Sequence, residues 1–204
     1  MTFAAGKGLN VARTALYAEK PSTLLVERFD RMPPADMSVR IPMLSALTLL
    51  DAEWHTTDRS AWVYASVANE MSRRGVPAQD LQELFKRMCF NALVGNDDDH
   101  PKNHAILWLK SGWRLAPMYD VVPCLEGYSP PNLAMAVGRE GRVISRANLL
   151  SHCAHFALTA DQAAATLAEV IAWESDLRTH YKHTLKGTEL MLALAAIGSA
   201  RMKA

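Results

Sequence analysis

The chain has 204 residues, with 22 Lys and Arg against 21 Asp and Glu and a formal net charge of +1. That balance carries no basic footprint for direct nucleic-acid binding, and no apolar run reaches the roughly 18 residues that a membrane span needs. An apolar half of the composition suits one main domain around one core, and the start lacks the basic-then-apolar pattern of a signal peptide, so a cytoplasmic location is expected.

In chain order, Gly6-Lys7-Gly8 reads as a helix end with a glycine stop, being too short and poorly placed for a nucleotide loop. Lys20, before Pro21, reads as a loop lysine. Thr23 to Phe29 is an apolar, β-branched run ending in charges, which predicts a buried strand leaving a sheet. Met32-Pro33-Pro34-Ala35-Asp36 then predicts a linker. Apolar residues at helical spacing predict helices over Ile41 to Asp51 and over Ser60 to Arg74, the second ending at Gly75.

Ala78 to Val94 predicts an amphipathic helix whose buried stripe is Leu81, Leu84, Phe85, Met88 and Ala92. It runs into Asn96-Asp97-Asp98-Asp99-His100-Pro101-Lys102-Asn103. Such a run is also ordinary loop composition, because Asn and Asp satisfy their own backbone in turns. Ala105 to Leu109 and Trp113 to Ala116, around Lys110-Ser111-Gly112, predict a β hairpin that returns Asp120 beside this loop. Further on, Tyr128 and Ser129 are either plain exposed loop residues or face a protein substrate, and Arg139, Arg142 and Arg146 read as surface charges. A helix is expected over Arg146 to Phe156 behind a Ser145 cap. Thr159-Ala160-Asp161-Gln162 is a capping box opening a long helix to about Tyr181, and Thr188 to Ala200 predicts an apolar closing helix.

Cys89, Cys124 and Cys153 are scattered without a Cys-x-x-Cys pair, which argues against a disulfide framework or zinc site. His100 and His104 stand four apart, but no helical Glu joins them and Pro101 breaks the turn.

The chemistry lies in a spacing. Asp98 is followed five residues later by Asn103 and seventeen after that by Asp120. Protein kinases use an Asp that orients the acceptor hydroxyl, an Asn five positions on that holds one magnesium, and a later Asp on the nucleotide-bound ions. Phosphoryl transfer asks mainly for positioning, with a few oxygen ligands for hard cations, and an Asn carbonyl and an Asp carboxylate meet that need. Lys102 is placed to steady the transferred charge and His100 to brace the loop by hydrogen bonding.

The run Phe90-Asn91-Ala92-Leu93-Val94-Gly95-Asn96-Asp97-Asp98-Asp99-His100-Pro101-Lys102-Asn103-His104, with Trp113-Arg114-Leu115-Ala116-Pro117-Met118-Tyr119-Asp120-Val121-Val122-Pro123, resembles the HipA-like serine/threonine kinases of bacterial toxin-antitoxin modules. Leu25-Val26-Glu27-Arg28-Phe29-Asp30-Arg31 is similar to the segment that in this family crosses between the kinase lobes, and the likeness covers the chain from about Gly8 onward. The resemblance implies a mainly α (α+β) protein-kinase-like C-terminal lobe with a short β hairpin and a remnant of the N-lobe sheet. Residues 1–31 would be that remnant and the hinge strand, and residues 32–204 the large lobe.

By the same resemblance, Asp98 is the catalytic Asp, supported by His100 and Lys102; Asn103 and Asp120 hold Mg2+; and Glu27, Phe29 and Asp30 receive the adenine and ribose of ATP. The activity implied is that of a toxin phosphorylating a Ser or Thr hydroxyl of a protein such as a translation component. The partner implied is a DNA-binding helix-turn-helix antitoxin. Read without the family, Thr23 to Phe29 is simply a core strand closed by charges.

The chain departs from the family before the hinge. About 26 residues precede Glu27, with neither a phosphate-covering loop nor a strand lysine. A separate small-lobe polypeptide is therefore one expectation. The alternative is an inactive, truncated module that binds antitoxin or substrate. A weaker alternative is a metal-dependent hydrolase using Asp98, Asp99, His100 and Asp120.

Overall fold

The computed structural model describes residues 1–17, 23–31, 39–55 and 57–204; Lys20 and the expected linker Met32 to Asp36 lie outside them. The N-terminal elements are α1 (Thr2–Gly6) and strands β1 (Thr14–Tyr17) and β2 (Thr23–Val26). Next come β3 (Met43–Ser45), α2 (Ala46–Leu49), α3 (Tyr64–Arg73) and α4 (Ala78–Val94). Strands β4 (Ala105–Leu109) and β5 (Gly112–Leu115) follow. The chain closes with α5 (Arg146–Leu150), α6 (Ala160–Ala172), α7 (Glu174–Thr184), α8 (Gly187–Ala196) and α9 (Ser199–Lys203).

Helix α4 is the axis of the body. The expected stripe Leu81, Leu84, Phe85, Met88 and Ala92 is buried, and so are Cys89, Phe90, Leu93 and Val94. A helix apolar on so much of its circumference has to be encased. Helices α3, α6 and α9 and strand β5 pack around it. The N-terminal helix joins the same core: Ala4 and Leu9 are buried in it, and the Phe3 ring stacks on Phe90 at 6.2 Å. Lys7 sits just past the end of α1 with an ion pair to Asp176, and the left-handed Gly8 (φ 81°) follows, as a helix stop requires.

Two polar anchors on α4 are buried. Arg87 donates from Nη1 to the Ala116 carbonyl (2.7 Å), from Nη2 to the Asn10 carbonyl (2.9 Å) and from Nε to Glu83 (3.0 Å). Two turns earlier, Asp80 accepts from Arg114 Nε and Nη2 and from the Leu115 N–H, each at 2.8 Å. The guanidinium of Arg114 and the Leu115 amide outweigh the burial that opposes ionisation, so the Asp80 carboxyl lies below its usual range. Together they clamp β5 and its exit against the helix axis.

The hairpin β4–β5 forms with Ile106 opposite Leu115 and Trp108 opposite Trp113, as its sequence predicts. Its third strand was not expected. Met43–Ser45 pairs antiparallel with Ala105–Leu107, leaving only Ala46–Leu49 helical in the stretch read as one helix. The free edge of β4 supplies ladder partners that outweigh the helical spacing of four or five residues.

The start of α3 shifts for a similar reason: Val63 is extended in a bridge with Ala136, so the helix begins at Tyr64. In the C-terminal part, Arg146–Leu150 is helical and Cys153–Phe156 is a separate tight turn. The capping box forms as expected, Thr159 N–H to Gln162 Oε1 at 2.9 Å and Gln162 N–H to Thr159 Oγ1 at 3.2 Å. The helix it opens breaks at Trp173, and the closing helix breaks at Ile197-Gly198. There Gly198 donates to the Leu93 carbonyl (2.9 Å), and a Cβ on it would stand 2.1 Å from the Ala92 carbonyl oxygen.

The strand expected to be buried is exposed. Thr14–Tyr17 and Thr23–Val26 form a two-stranded antiparallel sheet, and Leu16 (70%), Tyr17, Leu24 (61%), Leu25 and Val26 all face solvent among the described residues. An apolar run predicts a strand but not what covers it.

Two stability predictions follow from these anchors. Arg87→Leu strands the Ala116 and Asn10 carbonyls, and urea unfolding should show a loss of about 3 to 5 kcal/mol. Glu174, bonded by the Ser199 hydroxyl and then by Arg178 and Lys203, has its pKa lowered from 4.5 to about 2. Because the folded value is depressed, its stabilisation is complete above the unfolded value and is lost as pH falls toward 2. Glu174→Gln should therefore flatten the acid limb of the urea midpoint below pH 4.5.

Candidate active site

The loop carrying the acidic cluster begins where α4 ends. Gly95 closes the helix in the left-handed conformation (φ 71°), and a Cβ there would lie 2.2 Å from the Ala196 carbonyl oxygen. Asn96 turns back onto the helix, donating from its amide to Asn91 Oδ1 (3.2 Å), and Asn91 in turn donates to the Tyr64 hydroxyl (3.3 Å). Pro101–Asn103 then makes one tight turn, with the Asn103 N–H bonded to the His100 carbonyl at 2.9 Å.

The loop has two sides. On the inner side Asp99 and His104, each with a side chain 2% exposed, pair with Nε2 3.0 Å from Oδ1. The His104 ring meets Tyr64 edge-on at 5.3 Å, so one buried polar network holds the loop to both α3 and α4. On the outer side Asp98 and Lys102 are exposed. Asn103 is nearly buried and donates from Nδ2 to the Asp98 carbonyl (3.3 Å), which leaves its Oδ1 as the free ligand atom among the described residues. Asp99 is therefore committed to His104 and does not join Asp98, His100 and Asp120 in a hydrolase cluster. Among the described residues no three His, Cys, Asp or Glu side chains are grouped to hold a metal ion.

Asp120 reaches this loop through a series of backbone ties. Arg87 holds the Ala116 carbonyl, Met118 exchanges bonds with Asn10 and Ala12 (2.8 Å each), and Cys124 N–H donates to the Gly95 carbonyl at 2.8 Å. Between these ties Asp120 is left-handed (φ 58°), a conformation that costs a non-glycine residue roughly 1 kcal/mol and is characteristic of constrained sites. Its carboxylate is exposed, with no hydrogen bond or ion pair among the described residues. The oxygens available to a hard cation are thus Asn103 Oδ1 and the Asp120 carboxylate, a donor set of the right chemistry for magnesium shared with phosphate.

Tyr119 was missed as a site residue. Its hydroxyl donates to the Lys102 carbonyl (2.5 Å) and its ring lies 5.4 Å from Phe29. Burial first, then the charges of Asp120 and Asp99, push its pKa up to about 12, so it remains a donor at neutral pH. Tyr119 thereby joins the expected hinge to the Asp98 loop. Its only signal in the sequence is adjacency to Asp120.

Other expected groups are placed differently. Lys102 Nζ rests 3.4 Å from the centroid of the Trp54 ring, and His100 meets the same ring edge-on at 4.8 Å. His100 Nδ1 is buried with no hydrogen-bond partner, so this nitrogen does not brace the loop; the ring does so by packing. The Glu27 N–H is taken by the Arg13 carbonyl (2.9 Å). Asp30 is held by Arg28 (2.6 Å from both Nε and Nη2) and by Arg31 (2.8 Å), and the Arg28 hydrogen bonds keep its carboxyl below the usual range.

A model of the HipA-like C-terminal domain matches residues 1–177. The chain is 34% identical over 151 residues to Y4mE of Sinorhizobium fredii, a protein named as a candidate kinase, a match covering 68% of this chain and 34% of that protein. Its fold is similar to HipA of Shewanella oneidensis, solved with HipB and operator DNA, with a TM-score of 0.77, 21% identity, and 99% of this chain on 53% of that one. It is also similar to the Helicobacter pylori proinflammatory kinase CtkA, with a TM-score of 0.64, 12% identity, and 98% of this chain on 83% of that one. The chain thus spans about a third of the curated relative and about half of the HipA chain. With a family model matched across most of its length and a kinase-like fold around the Asp98 loop, this chain belongs to the HipA-like C-terminal domain family.

Proposed function

We propose that this protein is the large lobe of a HipA-like serine/threonine kinase, the toxin of a toxin-antitoxin pair, transferring phosphoryl from Mg-ATP to a protein hydroxyl. The observation that carries this reading is the convergence of Asn103, Tyr119 and Asp120 on one loop through the Arg87 and Tyr119 ties. In this mechanism Asp98, exposed at the loop tip, accepts a hydrogen bond from the acceptor hydroxyl and takes its proton as the hydroxyl oxygen bonds to the γ-phosphorus and the bond from that phosphorus to the bridging oxygen breaks, releasing ADP. Asn103 and Asp120 would hold the magnesium. When bound, the ions would neutralise phosphate charge and ATP would supply the phosphoryl group. Lys102 steadies the developing charge after its ammonium leaves Trp54, a contact worth about 0.5 to 2 kcal/mol.

Phe29, packed on Tyr119, would line the adenine site, with Glu27 and Asp30 from the same segment meeting adenine and ribose. A separate small-lobe polypeptide would cover the β1–β2 hairpin. Its exposed Leu16, Tyr17, Leu24 and Leu25 support that reading, because a two-stranded sheet with apolar groups in water is marginal alone. HipA of Shewanella oneidensis was solved with HipB and operator DNA, which supports a DNA-binding antitoxin as partner here. A translation component is the proposed substrate class. No helix among the described residues is long and apolar enough to cross a membrane, in keeping with the proposed cytoplasmic location.

Calorimetry tests the reading: magnesium-dependent ATP binding should be present in this chain with its small lobe and absent in Asp120→Ala. Asp98→Ala should abolish phosphotransfer while leaving the circular dichroism spectrum unchanged; transfer surviving both changes would refute the assignment. Tyr119→Phe removes one hydrogen bond and should lower stability by about 1 kcal/mol while raising the KM for ATP.

A further inference from the structure

The loop before α3 and the segment 132–144 are stitched together. The Ala136 N–H donates to the Trp62 carbonyl (2.8 Å), and the Tyr64 N–H donates to the Ala136 carbonyl (3.1 Å). Between them lies an open groove of about 690 Å³ lined by Thr57, Arg59, Ser60, Ala136, Gly141 and Arg142. It holds two guanidiniums, and neither has an ion-pair partner among the described residues. The carboxylate next door, Asp58, accepts the Ser60 N–H (2.8 Å), and Glu140, at the tip of the 138–141 turn, forms no ion pair among the described residues.

Both arginines are carried on fixed backbone. The guanidinium of Arg59 lies 4.7 Å from the centroid of the Trp62 ring, which is 3% exposed, so its stem is held while its N–H edge stays free. Arg142 is bracketed by the buried Asn148, whose amide donates to the carbonyls of Gly141 (3.1 Å) and Val143 (2.8 Å). Gly141 is left-handed (φ 67°) with open space where a Cβ would stand, so bare main chain forms one wall. Trp62 stacks on Trp54 (5.6 Å, 14°), the ring that carries Lys102 and His100. The groove is therefore one aromatic stack from the Asp98 loop.

We infer that this groove binds a phosphorylated serine or threonine side chain of a protein segment. Two planar guanidiniums lining one groove match the charge of about −2 and the several acceptor oxygens of one phosphate monoester. A carboxylate would leave one guanidinium uncompensated. A nucleic acid needs a track of cations along its backbone, and the groove offers two. The inference does not require that the chain itself transfers phosphate.

The test is fluorescence anisotropy on the full chain with a labelled heptapeptide carrying a central phosphoserine, beside the same peptide with serine or glutamate and with inorganic phosphate as competitor. The phosphoserine peptide should bind alone among the three. Arg59→Gln and Arg142→Gln should each weaken it about tenfold or more, Arg139→Gln should leave it unchanged, and all should keep the wild-type circular dichroism spectrum. Asp98→Asn should leave binding intact, which separates this site from the phosphotransfer reading. Absence of phosphopeptide binding, binding unaffected by both arginine substitutions, or inorganic phosphate binding as tightly as the peptide would each overturn the inference.

Discussion

Arg87 is the constraint on which the rest of this structure depends. A guanidinium inside a helical core is costly unless its donors are used. Here they go to Ala116, Asn10 and Glu83, which belong to three different stretches of chain. The helix that ends in the Asp98 loop therefore also holds the strand exit that leads to Asp120. Asp80, two turns earlier, fixes the same strand through Arg114 and the Leu115 amide. The site is assembled by polar anchors on one helix, and the apolar packing around α4 keeps that helix in place.

The Asp98 loop works as a boundary between a dry and a wet side. Asp99, His104, Asn91, Asn96 and Tyr64 satisfy one another inside, where an unpaired polar group would be expensive. That closure lets Asp98 and Asp120 stand exposed outside, with no side-chain hydrogen bond or ion pair among the described residues. The left-handed Asp120 and the tight approaches at Gly95 and Gly198 show where strain and close packing are tolerated so that two distant segments meet.

The apolar faces of the β1–β2 hairpin and the polar groove at Arg59 and Arg142 lie at two different places on this lobe, and each has its own physical character. The hairpin offers apolar side chains, the signature of a permanent cover. The groove offers two guanidiniums with no ion-pair partner among the described residues, as the inferred phosphate site needs. Trp54 and Trp62 connect the second of these to the Asp98 loop, because Lys102 and Arg59 each rest on one ring of the stack.

The local periodicities were legible in the sequence: the stripe of α4, the β4–β5 hairpin, the capping box at Thr159, and the spacing of Asp98, Asn103 and Asp120. Each depends on residues close in the chain, whose preferences survive whatever surrounds them. The third strand at Met43–Ser45, the late start of α3 and the breaks at Trp173 and Gly198 were decided by neighbours distant in sequence. So were the exposure of β2, the burial of Asp99 on His104 and the bridging role of Tyr119. The sequence by itself determined the chemistry available to the site, because residue types and their spacing are local properties. Only the tertiary structure decided which of those groups face water, which face each other and which are already engaged, because burial and pairing depend on partners that no local pattern encodes.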